Sequence, residues 1–213
     1  MIYLCRHGQT EWNRAHRLQG QCESDLTPLG RAQAGAMGDL LHDLVQRDAD
    51  RPWRIVASPL RRARDTAGII GAKLGLPVEF DDRLMELTVG AWEGRLRAEL
   101  ARDYPELFAD RTWFFAAPGG ETYDQVMARV SGWLADQAAE PERRLIVVSH
   151  GIAGRLLRGA YAGLSRAEVL EQDVPQDALY RLHAGQIVRF DCEPVEDPEL
   201  AKEAAKEAAK EAV

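Results

Sequence analysis

Two histidines stand at the same kind of place in this chain. His7 closes the run Leu4-Cys5-Arg6-His7-Gly8, and His150 closes Val148-Ser149-His150-Gly151. A third apolar run leads through Ala57 into Ser58-Pro59-Leu60-Arg61. Each end is followed by a turn or helix start, where free backbone N–H groups favour an anion. On one rim, two imidazoles with Arg6 and Arg61 would make a cationic, hydrogen-bonding cluster suited to phosphate. Guanidinium groups grip oxygens in pairs, and a neutral imidazole serves as nucleophile or proton carrier. Taken singly, a histidine after a strand is also a common packing residue, and Arg61, Arg62 and Arg64 fit a solvated helix face. The repetition at three strand ends favours a site. Metal ligation is the rival chemistry, but apart from Glu11 beside His7 neither histidine has a His, Cys or carboxylate two to four residues on. That spacing is poor for a metal, so neither metal nor cofactor is expected.

These residues need a scaffold that brings strand ends together. Met1 to Cys5, Arg54 to Ala57, Val78 to Phe80, Leu145 to Ser149 and Gln186 to Phe190 are short apolar runs with the length of buried strands. Helical patterns lie between them. Thr27-Pro28 opens one, with Leu29, Ala36, Leu40 and Leu44 spaced on one face; Ser58-Pro59 resembles a second opening. Thr122 to Gln125 fits a capping box ahead of Val126, Val130, Trp133 and Leu134, and another helix follows Gly151. Strands alternating with helices predict an α/β fold, three layers α/β/α around a mostly parallel sheet. Ligands of such sheets bind beyond the carboxyl ends of the strands.

Composition bounds the possibilities. The chain has 213 residues and a net charge of −7, a length that suits one domain with a sizeable core. An acidic total disfavours nucleic acid as a partner. The excess is uneven: residues 1 to 192 carry 24 basic and 27 acidic side chains, and residues 193 to 213 carry 3 and 7. The body holds 23 Arg and only Lys73, whereas the end repeats Ala-Lys-Glu-Ala. The expected division is therefore a domain over 1–192 and, over 193–213, a polar linker with a solvated helical tail, natural or appended. Cys5, Cys22 and Cys192 lack the pairing of a disulfide framework or zinc site. No run approaches the ~20 apolar residues of a membrane span, and Arg6 interrupts the first apolar run. The expectation is a cytoplasmic protein without membrane partners, monomeric or homodimeric.

The ordered motifs resemble the histidine phosphatase superfamily, in the branch of cofactor-dependent phosphoglycerate mutases and related phosphatases. The resemblance rests on Arg6-His7-Gly8-Gln9-Thr10-Glu11-Trp12-Asn13, Arg17-Leu18-Gln19-Gly20, Leu26-Thr27-Pro28-Leu29-Gly30 and Ser58-Pro59-Leu60-Arg61-Arg62-Ala63. It continues through Glu86, Gly90-Ala91-Trp92-Glu93-Gly94, Pro118-Gly119-Gly120-Glu121-Thr122 and Val148-Ser149-His150-Gly151. It covers about residues 1 to 192. Cys5 and Gln9 depart from the usual pattern without touching a catalytic position.

The resemblance implies a metal-independent phosphatase of small phosphorylated metabolites, releasing inorganic phosphate. His7 would be the nucleophile, Arg6 and Arg61 with His150 the oxygen clamp, and Glu86 the general acid and base. Asn13, Gln19 and Gly20 would contact the phosphate, with Thr10 and Gly151 as further candidates, and Glu93 would be structural. Residues 95 to 118, rich in aromatics, are expected to form a helical excursion that serves as pocket wall or as core. Their shortness favours a phosphatase over a mutase, the main alternative; a non-catalytic phospho-ligand binding module is the second.

Overall fold

The computed structural model describes residues 1–48, 51–140 and 142–200. Six strands form one sheet: β1 (Ile2–Arg6), β2 (Trp53–Ala57), β3 (Val78–Phe80), β4 (Arg144–Ser149), β5 (Ala178–His183) and β6 (Gln186–Asp191), in the order β3-β2-β4-β1-β5-β6. The pairings β3-β2, β2-β4 and β4-β1 are parallel; β5 and β6 add an antiparallel hairpin at β1. Successive side chains of a strand face opposite ways, and both faces here are apolar. Ile2 and Leu4 of β1 and Leu145 and Val147 of β4 enter one core with Trp92, Val126, Val130, Trp133, Leu156 and Leu157. Tyr3, Cys5, Ile146 and Val148 enter the other with Met37, Leu41, Ala67 and Ile70. Helices α2 (Pro28–Arg47) and α3 (Arg61–Leu74) cover the second face, and α5 (Tyr123–Ala138) and α6 (Gly151–Ala162) the first. Short α1 (Glu11–Arg14), α4 (Arg97–Asp103) and α7 (Arg166–Glu171) lie in the connections.

The layered fold agrees with the expectation, and so do two helix starts. Thr27 accepts from the Gly30 N–H, with Pro28 at the first helical position, and Thr122 forms a reciprocal capping box with Gln125. Ser58-Pro59 does not open a helix. Helix α3 begins at Arg61 behind an uncapped Leu60, and Ser58 Oγ bonds the Leu60 N–H at 3.3 Å and His150 Nε2 at 2.8 Å instead. Strand β5 has no counterpart in the sequence reading. It turns into β6 through Ala184 and Gly185, both at positive φ (49° and 75°), the backbone of a type I′ hairpin loop. The helical tail expected to Val213 lies, from residue 201 on, outside the described residues.

Register aligns the three strand ends. Arg6 pairs with Ser149 and Ala57 with Val148. The ladder then runs one residue further, with His7 N–H to Ser149 O and Ser58 N–H to Val148 O, both at 3.0 Å. His7, Ser58 and His150 are therefore neighbours at the carboxyl rim.

Candidate active site

A cavity of about 190 Å³ opens at this rim, lined by Arg6, His7, Asn13, Arg17, Gln19, Gly20, Arg62 and Glu86, with Leu87, Val89, Trp113, Phe114 and Ile152 as apolar wall. His7 is buried, and its Nδ1 lies 2.8 Å from the Gly8 carbonyl oxygen. A carbonyl only accepts, so Nδ1 carries the proton and Nε2 keeps its lone pair. Burial, then the charges of Arg62 and Arg6, hold the His7 pKa well below the ordinary imidazole value. His7 is thus neutral, with a free nitrogen. The turn after it is tight: a Cβ on Gly8 would lie 2.1 Å from the Gly30 carbonyl oxygen, so glycine is required for α2 to pack against this loop.

His150 lies behind His7, ring centroids 5.2 Å apart. Burial is again the first cause of its lowered pKa, followed by Arg62 and His7. Arg6 donates to the Val174 carbonyl at 2.5 Å, and burial lowers its pKa to about 10, still charged at neutral pH. Arg6 Nε, Arg62 Nε and His150 Nδ1 are buried atoms without a partner in the protein. Leaving such groups unpaired costs free energy; Arg6 and Arg62 line the cavity beside His7, where an anion's oxygens satisfy their donors, whereas His150 borders a small void behind it.

Arg61, assigned to the clamp from sequence, lies outside the cavity; Arg62 lines it. The reason is the start of α3. Arg61 is the first helical residue and turns outward, 49% exposed, to Asp25 at 2.8 Å and Asp65 at 3.8 Å. Arg62 lies on the buried stripe with Ala63, Thr66, Ala67 and Ile70. It donates to the carbonyls of Gly20 (2.7 Å) and Cys22 (2.9 Å). Gly20 sits at φ +52°, and a Cβ there would lie 2.1 Å from Glu93 Oε1. Glu93 fixes this turn by accepting from the Gln21 N–H, Thr88 Oγ1 and Cys22 Sγ, the structural role expected of it.

Glu86 reaches the cavity from the opposite wall. Its Oε1 accepts from the Leu87 and Ala153 N–H groups (3.0 and 2.9 Å) and Oε2 from the Ile152 N–H (3.1 Å). It thereby satisfies orphan donors of the first turn of α6, where the helix dipole favours negative charge. Gly151 lies between Glu86 and Arg6 but borders a small void behind them rather than the main cavity. Thr10 is buried and caps α1: its Oγ1 accepts the Asn13 N–H and its own N–H donates to Asn13 Oδ1. It positions Asn13 and does not line the cavity. Among the described residues no three His, Cys, Asp or Glu side chains are grouped to hold a metal ion.

A sequence model of the histidine phosphatase superfamily (branch 1) matches residues 2–187. The chain belongs to this superfamily. As a histidine phosphatase it is 37% identical over 179 residues to the glucosyl-3-phosphoglycerate phosphatase of Mycobacterium tuberculosis, covering 78% of this chain and 74% of that protein. It is 35% identical over 167 residues to a probable phosphoglycerate mutase of Salmonella paratyphi C, covering 76% and 75%. Its fold matches a mycobacterial glucosyl-3-phosphoglycerate phosphatase solved with VO3 at a TM-score of 0.72 and 32% identity, over 89% of this chain and 96% of that one. The complex of that phosphatase with inorganic phosphate matches at 0.69. The activity class of this histidine phosphatase is phosphomonoester hydrolysis.

Besides Arg62, sequence reasoning missed Arg17 and Gln176. Arg17 stands within a quoted motif but had no role assigned, and it lines the cavity while donating to the Gly94 carbonyl at 2.7 Å. Gln176 lies in the 172–177 loop and contacts His7 and Asn13; no motif marks it. The excursion over 95 to 118 serves as both wall and core. Trp113 and Phe114 line the cavity, while Phe114, with Tyr104, Phe108 and Phe115, also joins the aromatic packing around Trp92 and Tyr123.

Proposed function

We propose that the protein hydrolyses phosphomonoesters of small acidic metabolites through a phosphohistidine on His7, without a metal. The observation that carries this reading is neutral His7, its Nε2 lone pair free, lining a cavity together with the unpartnered donors of Arg6 and Arg62. His7 Nε2 attacks phosphorus in line; the N–P bond forms as the ester P–O bond breaks, and Glu86, which would take up a proton against the charge of the bound phosphate dianion, gives it to the departing alkoxide. Water then attacks the phosphoenzyme, Glu86 takes its proton, and phosphate leaves with His7 restored. Arg6 and Arg62, with Asn13, Gln19 and the Gly20 turn, hold the oxygens whose charge spreads in the transition state.

A second cavity of about 540 Å³ shares Trp113, Phe114 and Ile152 with the first and would receive the organic part of the ester. Arg97, Arg111 and Arg155 line it beside a single acid, Asp110, and Arg155 Nε is buried without a partner. That supports an organic part carrying a carboxylate or a second phosphate, in keeping with the phosphoglycerate esters named for the relatives. Three unpaired cysteines fit a reducing, cytoplasmic setting.

Purified protein is expected to release phosphate from p-nitrophenyl phosphate in EDTA and to yield an acid-labile phosphoenzyme. Retention of that phosphoenzyme by His7→Ala would overturn the nucleophile assignment. Glycerate phosphoesters should be preferred over neutral sugar phosphates. The mutase reading, favoured by the 35% identical relative, predicts that 3-phosphoglycerate with catalytic 2,3-bisphosphoglycerate isomerises faster than phosphate appears.

A further inference from the structure

We propose that Gln176 is a positioning residue of the phosphate site: its side-chain amide, held between the His7 carbonyl and Asn13 Oδ1, turns the Asn13 NH2 toward the phosphoryl group. The inference rests on the phosphatase reading above and adds a residue to it.

Two backbone groups decide the orientation of both amides. Asn13 Oδ1 accepts the Thr10 N–H at 3.2 Å, and a backbone N–H only donates, so the atom facing it is oxygen. Gln176 makes two contacts with one atom, at 3.1 Å to the His7 carbonyl oxygen and 3.1 Å to Asn13 Oδ1. Both partners are acceptors, so that atom is Nε2, with its two hydrogens used one on each. Asn13 Oδ1 then has two donors, and its remaining polar group, Nδ2, is left for the cavity that Asn13 lines. An amide turned the other way would aim lone pairs at an anion and lose both bonds.

The loop that carries Gln176 is built to hold still. Arg158, buried, donates to the Asp173 carbonyl at 2.5 Å, and Tyr180 Oη and Arg189 bond the Asp173 carboxylate. The next residue, Val174, accepts from Arg6. Asp173 thus anchors the loop on one side, and Val174 and Gln176 touch Arg6, His7 and Asn13 on the other. Gln176 is the point at which this brace reaches a phosphate donor.

The test uses the full chain, inorganic vanadate as a phosphate probe, and p-nitrophenyl phosphate turnover. Gln176→Met keeps length and volume but has no donor. It is expected to weaken vanadate inhibition and kcat/KM roughly tenfold, the value of one hydrogen bond to a charged group. Gln176→Glu sets a carboxylate against two acceptors and drives the Asn13 amide to rotate, so its loss is expected at about a hundredfold. In an Asn13→Ala background Gln176→Met should cost little more, because residues acting as one unit do not add. Unchanged vanadate inhibition in both Gln176 variants, or the full loss of Gln176→Met repeated in the Asn13→Ala background, overturns the proposal. If Asn13→Ala alone leaves vanadate inhibition unchanged, the proposal falls with the role of Asn13. The phosphoenzyme trap on His7 then shows separately whether the phosphatase reading stands.

Discussion

Replacing Arg62 and Arg61 in turn tests which arginine belongs to the chemistry. Arg62 is 1% exposed, lines the cavity and has an unpartnered Nε. Its other donors tie down the Gly20 and Cys22 carbonyls. Arg62→Ala therefore removes a charge from the transferring phosphoryl group and loosens the turn that carries Gln19. Loss of one preorganised donor to a transition-state oxyanion costs about 10²–10³-fold in kcat, and the loosened turn adds to KM. Arg62→Lys keeps the charge but cannot reach two carbonyls and the phosphate together, so it should recover only part of the loss. Arg61 is half exposed and paired with Asp25 and Asp65; such surface pairs contribute about 0–1 kcal/mol, so Arg61→Ala should change kcat/KM by less than about fivefold. The assay is kcat and KM for p-nitrophenyl phosphate, with a melting curve to show that each variant is folded. A folded Arg61→Ala protein that loses activity beside an active Arg62→Ala protein would refute the assignment.

Two further outcomes follow from the site. Glu86→Gln removes the proton carrier, and general acid catalysis is worth about 10²–10⁴-fold; turnover of an alkyl phosphate should fall by that order, while phosphoenzyme formation from p-nitrophenyl phosphate, whose leaving group needs no proton, should survive. Equal loss of both would argue that Glu86 acts otherwise. Because His7 and His150 are held neutral well below the ordinary imidazole value, the unfolded chain takes up protons near pH 6.5 that the folded chain refuses. Stability is then full above ~6.5 and declines as pH falls, by up to about 1.4 kcal/mol per unit for each histidine. Urea unfolding between pH 7.5 and 5.5 measures the slope, and His150→Gln should reduce it; a flat profile would contradict the buried neutral pair.

Much of the site was legible because its residues follow strands. Arg6, His7 and His150 extend or follow apolar runs, so parallel pairing alone makes them neighbours. Asn13, Gln19, Gly20 and Glu86 came from the family resemblance rather than from any periodicity, and all four line the cavity. What escaped lay in irregular backbone. Strand β5 contains Arg181 and follows the loop 172–177, and its Ala-Gly turn is a weak hairpin signal beside Asn-Gly. Gln176 stands in no motif, and only the course of that loop past β1 brings it to His7.

The sequence by itself determined the alternation of strand and helix, the three strand ends that converge, and the kind of chemistry that two imidazoles and several guanidinium groups can perform. These depend on local order, which spacing records. Only the tertiary structure decided that Arg62 and not Arg61 lines the cavity, that Thr10 caps α1 while Asn13 lines the cavity, and that Gln176 reaches His7 and Asn13. Adjacent helical residues differ by about 100° in direction, so a helix that starts two or three residues later than its Ser-Pro signal exchanges one arginine for its neighbour. Packing against the Gly20 turn and the sheet, which no local pattern encodes, sets that start.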